Sequence, residues 1–329
     1  MTWRDEIVRR VRGEHLPDAP LAPRTAVRVG GPADLLCRPA DADALAALLR
    51  AVRELGVPLS VLGGGANTLV ADAGVRGVVL RLPQDFPGES TQGDTLVLSA
   101  GAPISRLPAR AHARGLVGME FLGGIPGTLG GAAAMNAGTR LGEMKDVVTR
   151  LELATADGAG FVPASALGYA YRTCRLPPGA VIARVEVRLR PGDVAASEAL
   201  MREDRERRRA TQPLDRPTFG STFTNPPGEY AGRLVEAVGL KGHRVGNAVW
   251  SPVHANFVTN LGGATARDVL ALVRLARARV KERFGIALET EVRLMGEFPP
   301  EELEGLDGHA AAGGGPSAAS GGARPPEAT

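Results

Sequence analysis

The segment GMEFLGGIPGTLGGAAAMNAG occupies residues 118–138 and, together with GGGANTLV at residues 63–70, carries most of the information about the fold. Glycines are densest in GGIPGTLGG at 123–131 and in GGGAN at 63–67. Because glycine has no Cβ, such loops let backbone amides approach a ligand diphosphate closely. Neither loop has the G-x-G-x-x-G pattern before a helix or the Gly-Lys-Ser/Thr ending of a P-loop. The glycines alone leave two interpretations open: an uncommon nucleotide site, or tight turns in a core of small residues.

The residues that flank these loops predict alternating helices and strands. Residues 41–56 are predicted to form a helix, because an aspartate precedes it, a glycine ends it, and its leucines share one face. Short buried strands are predicted at Pro58–Leu62, Val78–Leu82, Thr95–Ala100, Val148–Leu153 and Val181–Leu189. This pattern indicates an α+β first half that ends near residue 195.

The second half is predicted to begin with a charged helix over Met201–Arg209. A longer helix is predicted over Thr265–Phe284, with Thr265 and Asp268 as a capping pair and Gly285 at its end. After Arg293 the chain becomes acidic, and Gly, Ala, Pro and Ser dominate from about residue 308 to the end. Such a composition cannot bury enough apolar surface to fold, so we predict a disordered tail.

Composition excludes several classes of protein. The 329 residues are 44% hydrophobic and 23% charged, and no apolar stretch approaches the ~20 residues that a membrane span requires. The N-terminus lacks the apolar core of a secretory signal, so we expect a cytoplasmic protein. Cys37 and Cys174 have no metal-binding spacing, so no metal is expected. A net charge of +3 does not indicate nucleic-acid binding.

The segment FGSTFTNP at 219–226 contains the first candidate for chemistry. In an extended chain, Ser221, Phe223 and Asn225 would lie on one face. No Gly-x-Ser-x-Gly motif surrounds Ser221, which argues against a hydrolase nucleophile. Taken alone, the pattern favours an ordinary hydroxyl.

The segment LETEVR at 288–293 is the second candidate. As a strand, it would place Glu289, Glu291 and Arg293 on one face, which fits either acid/base chemistry or a solvated sheet surface. Arg172, which follows Tyr171, could bind a carboxylate or phosphate in a bidentate manner or lie free on the surface. His254 is equally ambiguous when considered alone.

Six motifs follow one another in the order GGGANTLV, GMEFLGGIPGTLGGAAAMNAG, YR at 171–172, GSTFTNP, AGRLVEAVGLKG and LETEVRLMG. Together they cover about residues 20–297 and resemble the UDP-N-acetylenolpyruvoylglucosamine reductase family. The resemblance implies an α+β protein with a vanillyl-alcohol-oxidase/PCMH-type FAD-binding fold and a C-terminal α+β substrate-binding domain. The implied limits are 1–195 for the first domain, with subdomains of about 20–85 and 86–195, and 196–297 for the second. A last strand at about 286–295 returns to the flavin site, and 298–329 form the disordered tail.

The resemblance also implies roles for individual residues. The family's catalytic trio corresponds to Arg172, Ser221 and Glu291. The implied FAD contacts are Gly63, Gly64, Gly65, Ala66, Asn67, Gly123, Gly124, Ile125, Gly127, Asn136 and Gly138, and the implied substrate contacts are Tyr171, Asn225 and His254. The chain departs from the family pattern at Ala66 and Cys174, where serine is usual, and at Thr224, where lysine is usual. The short stretch from Arg172 to Val181 resembles the subgroup without a tyrosine-bearing substrate loop.

The implied activity is reduction of UDP-N-acetylglucosamine enolpyruvate to UDP-N-acetylmuramate in peptidoglycan synthesis, with FAD as cofactor and NADPH as co-substrate. In this role Glu291 requires protonation or polarisation beside a developing anion, so we predict that burial raises its pKa. The resemblance further implies a monomer with a UDP-sugar as its partner. Two alternatives are an FAD-dependent oxidase or dehydrogenase of another sugar or alcohol, and a non-catalytic nucleotide-sugar binding module.

Overall fold

The computed structural model describes residues 2–306. The helices in this range are α1 (Trp3–Arg10), α2 (Ala42–Glu54), α3 (Leu107–His112), α4 (Leu129–Ala134), α5 (Val194–Thr211), α6 (Ala231–Ala237), α7 (Ala266–Phe284) and α8 (Pro300–Leu303). The strands of the first half are β1 (Gly13–Pro20), β2 (Pro32–Pro39), β3 (Leu59–Val61), β4 (Thr68–Val70), β5 (Val75–Leu80), β6 (Ser90–Gln92), β7 (Thr95–Ser99), β8 (Leu116–Val117), β9 (Gly138–Thr139), β10 (Gly142–Glu143), β11 (Val148–Thr155), β12 (Gly158–Pro163), β13 (Val181–Arg188) and β14 (Arg190–Pro191). Those of the second half are β15 (Thr218–Ser221), β16 (Arg244–Val245), β17 (Ala248–Trp250), β18 (Phe257–Asn260) and β19 (Arg293–Met295). The mixture of helices and strands confirms the α+β prediction.

The first sheet has the order β1-β2-β5-β3, with β2, β5 and β3 parallel to one another. Helix α2 covers one face and buries the predicted leucine stripe, and the Asp41 side chain accepts a hydrogen bond from the Ala44 amide as its N-cap. The loop at 63–67 follows β3 directly. It therefore lies at the carboxyl edge of parallel strands, where ligands commonly bind.

The second sheet is antiparallel and has the order β12-β11-β13-β7-β6. Helix α4 packs on β13 and β7. Ala154, Val181 and Ala183 of this sheet share a hydrophobic core with α2 of the first sheet. The two sheets therefore pack against each other through this shared core, and the subdomain division near residue 86 stays a prediction.

The third sheet, β15-β18-β17-β16, packs against α6 and α7. Helix α7 begins with the predicted capping box of Thr265 and Asp268 and ends at Gly285 in the left-handed region. Inside this unit, the Phe223 and Trp250 rings stack with centroids 5.8 Å apart. This stacking anchors the chain just after Ser221 in the core.

Helix α5 forms hydrogen bonds with residues of the first half of the chain. Ser197 donates to Glu120 over 2.6 Å, and the buried Asp204 accepts from Arg140 over 2.9 Å. The predicted charged helix at 201–209 is thus the second half of a longer element. The domain limit near 195 stays a prediction, and from these contacts we propose that the boundary follows α5.

Two predicted strands differ from the structure. The extended segment 219–225 is interrupted, because Gly220 has a φ of +83° and β15 ends at Ser221. Thr222 and Phe223 are consequently both buried and do not alternate. The predicted strand at 288–293 is also wrong: regular pairing begins at Arg293, where β19 joins β4. Before that point, residue 290 forms only an isolated bridge with Phe223, and Glu289 and Glu291 do not share a regular strand face.

The chain continues in folded structure beyond residue 297. Helix α8 lies within 298–306, and Leu306 is 4% exposed in the core of the third unit. The predicted start of the disordered tail at 298 is therefore too early, and residues 307–329 lie outside the described residues. None of the helices in the described part of the chain has the length and apolar character that a membrane crossing needs.

Candidate functional site

The two glycine-rich segments lie directly against each other. A Cβ added to Gly64 would meet the Cα of Gly127 at 2.6 Å, and one added to Gly63 would meet the Thr128 hydroxyl at 2.7 Å. At the other side of α4, a Cβ on Gly130 would meet the Cβ of Ala100 at 2.8 Å. Gly64 is required because its backbone approaches that of Gly127 closely, and Gly63 and Gly130 leave room for the side chains of Thr128 and Ala100.

A cleft of about 410 Å³ opens beside the paired loops. Its lining is dominated by glycine, alanine and aliphatic side chains, and no acidic side chain of the described residues lines it. Such a cleft suits a large aromatic ligand, and the glycine backbone exposes amides to a diphosphate without a repelling carboxylate. The residues present therefore fit FAD.

Six of the predicted FAD-binding residues line this cleft: Gly63, Gly64, Gly65, Ala66, Asn67 and Gly127. Five others do not. A Cβ on Gly123 would meet the Met201 side chain at 2.7 Å, Gly124 lies near Arg208 of α5, and Ile125 packs on the core of the second sheet. Asn136 is fully buried with its amide bonded to Glu143 and Ala170, and the Gly138 carbonyl accepts from Arg172.

Several cleft residues were missed by the sequence reading. Arg293 lines the cleft and so do Cys174, Leu176 and the start of β13 at Ala180–Ile182. Two sequence signals point here: the departure from the family pattern at Cys174, and the place of Arg293 on one predicted face with Glu291. Leu176 and Ala180–Ile182 are ordinary aliphatic residues, whose position depends on how the two sheets pack.

Arg172 and Glu291 form the charged part of the site. The Arg172 Nε lies 3.2 Å from the Glu291 Oε1, and the two side chains are 23% and 12% exposed. Arg172 Nε is buried and has no aligned hydrogen-bond acceptor among residues 2–306, while its Nη2 donates to the Gly138 carbonyl over 3.1 Å. Arg172 also has a φ of +55°, an uncommon conformation for a residue with a Cβ. Such strain is concentrated at functional sites.

Burial raises the pKa of Glu291, and the neighbouring Arg172 guanidinium opposes that rise. The structure thus confirms the predicted direction of the pKa. A carboxyl group in this position retains its proton to higher pH than an exposed glutamate does. It can therefore serve as a hydrogen-bond donor or a proton source.

Ser221 lies close along the chain to the residue that binds Glu291. The Glu291 amide donates to the Thr222 carbonyl over 2.8 Å, and Thr224 N donates to Glu289 O over 2.9 Å. Asn256, whose role the sequence did not indicate, forms two hydrogen bonds with the backbone of Phe223. Its Oδ1 accepts from the Phe223 amide, and its Nδ2 donates to the Phe223 carbonyl. These bonds fix the segment that follows Ser221 alongside the segment that carries Glu291.

The predicted substrate contacts have different environments. Tyr171 is 54% exposed, with the Arg172 guanidinium 5.2 Å from its ring centroid. The Asn225 side chain accepts from the Ala231 amide at the start of α6. His254 Nδ1 accepts from the Asn256 amide, and burial with the nearby Lys241 lowers the pKa of His254. His254 is therefore a neutral ring with one nitrogen already used.

Comparisons with known proteins identify the family of this chain. Residues 33–160 match the family described as "FAD binding domain", and residues 212–295 match "UDP-N-acetylenolpyruvoylglucosamine reductase, C-terminal domain". The chain is 94% identical over its full length to the UDP-N-acetylenolpyruvoylglucosamine reductase of Anaeromyxobacter dehalogenans strain 2CP-C, of which it covers 100%. It is 55% identical to that of Myxococcus xanthus, over 85% of this chain and 91% of the relative. The crystal structure of the reductase from Thermus caldophilus superposes with a TM-score of 0.74 at 38% identity, covering 86% of this chain and 99% of that one.

Proposed function

The chain belongs to the UDP-N-acetylenolpyruvoylglucosamine reductase family, and from this membership and the geometry of the site we propose how its residues carry out the family reaction. The protein is an FAD-dependent oxidoreductase that reduces UDP-N-acetylglucosamine enolpyruvate to UDP-N-acetylmuramate with NADPH, in peptidoglycan synthesis. When bound, FAD relays a hydride from NADPH to the enolpyruvyl double bond. The protein contributes binding, orientation, charge and a proton.

We place FAD in the cleft between the two glycine-rich segments. The observation that supports this placement is the contact between Gly64 and Gly127, which leaves backbone without side chains along the cleft floor. Gly63–Ala66 and Gly127 would contact the diphosphate through amides. Cys174 and Ala180–Ile182 would provide apolar contacts from the opposite wall.

Arg172 and Glu291 act on the carboxylate end of the enolpyruvyl group. Hydride addition to the terminal vinyl carbon places negative charge on the adjacent carbon and its carboxylate, giving an enolate-like species. The Arg172 guanidinium stabilises this charge. Burial raises the pKa of Glu291, which favours the protonated form of its carboxyl group, and that form would donate a hydrogen bond to the developing anion. Because their environment already holds these groups in place, they need little rearrangement during the reaction.

Ser221 donates the proton that completes the reduction. A hydroxyl is a weak acid, but the carbon of an enolate-like species is much more basic than an ordinary substrate oxygen. The new C–H bond forms as the Ser221 O–H bond breaks, and solvent returns a proton to the serine. Hydrogen bonds hold Thr222 and Phe223 in place, and these bonds restrict the position of the preceding Ser221.

Tyr171, Asn225 and His254 are proposed to bind the UDP-sugar. Tyr171 is exposed beside Arg172, where its ring can pack on the sugar, whereas Asn225 retains a free amide donor after its oxygen has accepted from Ala231. Thr224 replaces the usual lysine, so less positive charge faces the substrate diphosphate. We further propose a monomeric, cytoplasmic enzyme without a nucleic-acid partner.

The function is tested by measuring NADPH oxidation by the purified protein with two matched compounds. UDP-N-acetylglucosamine enolpyruvate should support continuous NADPH oxidation and yield UDP-N-acetylmuramate. UDP-N-acetylglucosamine, which lacks the vinyl ether, should support none. Equal NADPH oxidation with both compounds, or none with either, would contradict the assignment of substrate.

A further inference from the structure

Glu291 is bound through its backbone as well as its carboxylate. Its amide donates to the Thr222 carbonyl over 2.8 Å, and its carbonyl accepts from the Asn67 side-chain amide over 2.9 Å. The two contacts come from opposite parts of the chain, one beside Ser221 and the other from the first glycine-rich loop. Together with Arg172, they hold Glu291 from three directions.

Asn67 contacts this segment twice. Besides its side-chain bond to Glu291, its own carbonyl accepts from the Arg293 amide over 3.0 Å. The parallel pairing of Thr68 with Arg293 begins at the next residue. Regular pairing with β19 begins only at Arg293. The Asn67 side chain therefore extends the contact of the first glycine-rich loop back to Glu291, which precedes that strand.

The Asn67 amide nitrogen is already used within the protein. It donates to the Glu291 carbonyl and lies 3.7 Å from the Met135 sulfur, so both of its hydrogens have acceptors. The orientation of the amide is fixed by chemistry, because a carbonyl oxygen can only accept and the nitrogen must face it. Asn67 lines the flavin cleft, but its donor group points to the chain that carries Glu291.

We infer that Asn67 is a positioning residue, which fixes the Glu291 carboxyl group relative to the flavin-binding loop through the hydrogen bond to the Glu291 carbonyl. This inference rests on the proposed function and assigns to the Asn67 side chain a role other than cofactor binding. It predicts that loss of the amide donor affects the step in which the substrate is reduced. Reduction of the flavin by NADPH, which does not use Glu291, should be preserved.

Two variants test the inference, Asn67→Ala and Asn67→Asp, with Asn247→Asp as the matched charge control. The Asn247 oxygen accepts from Arg244 on the turn between β16 and β17, so a carboxylate is tolerated there. In Asn67→Ala, hydrogen–deuterium exchange of the peptide covering 286–295 should accelerate, while FAD content and flavin reduction by NADPH stay within about twofold of wild type. Reoxidation of the reduced flavin by substrate should slow by about two- to tenfold, the range of one ordinary hydrogen bond.

Asn67→Asp adds a pH test that a merely structural role would not produce. An ionised carboxylate repels the Glu291 carbonyl, whereas a protonated one donates a hydrogen bond to it. The ratio of the Asn67→Asp to the Asn67→Ala reoxidation rate should therefore rise as the pH falls. The Asn247→Asp control should show wild-type exchange and rates throughout.

The outcomes separate this inference from the proposed function. Unchanged exchange at 286–295 in Asn67→Ala would overturn the inference whatever the substrate proves to be. Loss of FAD with unchanged exchange would assign the side chain to the cofactor instead and would overturn it as well. If wild type fails to reoxidise with substrate, the proposed function is wrong, and the exchange measurement still decides the role of Asn67.

Discussion

The proposed flavin cleft and the proposed catalytic cluster of Arg172, Glu291 and Ser221 are built in opposite ways. The cleft depends on side chains that are absent: Gly64 and Gly127 touch through their backbones, and small residues leave the space open. The cluster depends on charged and polar groups from three separate segments, joined by hydrogen bonds of the backbone and of Asn67. The first region depends on close packing of small residues, and the second depends on the positions of charged and polar groups.

Because the two regions are built differently, substitutions in the cleft and substitutions in the cluster should cause different defects. A change in the cleft adds atoms where there is no room, so FAD binding and folding suffer first. A change in the cluster removes a charge or a proton while the cleft stays intact, so FAD remains bound and only the reaction with substrate slows. The following substitutions test whether the two regions are separable.

Ser221→Ala should have the largest effect on rate. Because Ser221 is the proposed proton donor, reoxidation of the reduced flavin by substrate should slow by about 10²- to 10⁴-fold. FAD content and flavin reduction by NADPH should be unchanged in rapid-mixing measurements. Ser165→Ala, at an exposed serine, is the control. Equal slowing of both half-reactions would refute the assignment.

Glu291→Gln should slow substrate reduction by about tenfold or more, because the amide cannot supply a proton and donates a weaker hydrogen bond to the developing anion. The control is Glu289→Gln, in the same segment but with an exposed side chain. Both variants should bind FAD like wild type. Full activity of Glu291→Gln would remove Glu291 from the mechanism.

Gly64→Ala tests the cleft instead of the cluster. Its Cβ would lie 2.6 Å from the Gly127 Cα, and relief of such a contact typically costs about 1–3 kcal/mol. We expect a lower melting temperature and an affinity for FAD that is reduced by about tenfold or more, measured by flavin titration of the apoprotein. Gly160→Ala, where a Cβ would meet no atom of the described residues within 4 Å, should behave like wild type. Normal FAD affinity in Gly64→Ala would show that the loops do not need this close packing.

The smallest effect should be on the pH dependence of stability. Burial raises the pKa of Glu291 above its ordinary 4.5, so between the two pKa values the folded protein binds a proton that the unfolded chain releases. The stabilisation from this proton is complete below the unfolded pKa and is lost as the pH rises through the folded pKa. Relative to wild type, Glu291→Gln should therefore gain melting temperature as the pH rises. A constant difference across this range would contradict the raised pKa.

Much of the fold followed from local sequence signals. Helices α2 and α7 were predicted with their capping residues, because Asp41 and the Thr265–Asp268 pair form hydrogen bonds within one turn. Strands β3, β5, β7, β11 and β13 of the first two sheets were predicted to within a few residues, whereas β1, β2, β6 and β12 were not predicted. Each of these elements is determined by residues that are close together in sequence.

The site was harder to predict because tertiary contacts determine it. The strand expected at 288–293 appeared regular by alternation, but Glu291 binds Thr222 on one side and Asn67 on the other, and regular pairing begins only at Arg293. The family resemblance identified the charged trio, of which the structure joins Arg172 to Glu291 directly. It could not show that Asn136 is consumed by internal hydrogen bonds or that Ala180–Ile182 line the cleft.

The most direct test of the central claim is an anaerobic double-mixing experiment on the flavin-loaded protein. NADPH is added first, the oxidised nucleotide is removed, and UDP-N-acetylglucosamine enolpyruvate is then mixed in while the flavin absorbance is recorded. The account predicts bleaching by NADPH, followed by full recovery with one equivalent of UDP-N-acetylmuramate formed per flavin. Bleaching without recovery would mean that the cleft accepts NADPH but the cluster does not act on this substrate, and it would contradict the account.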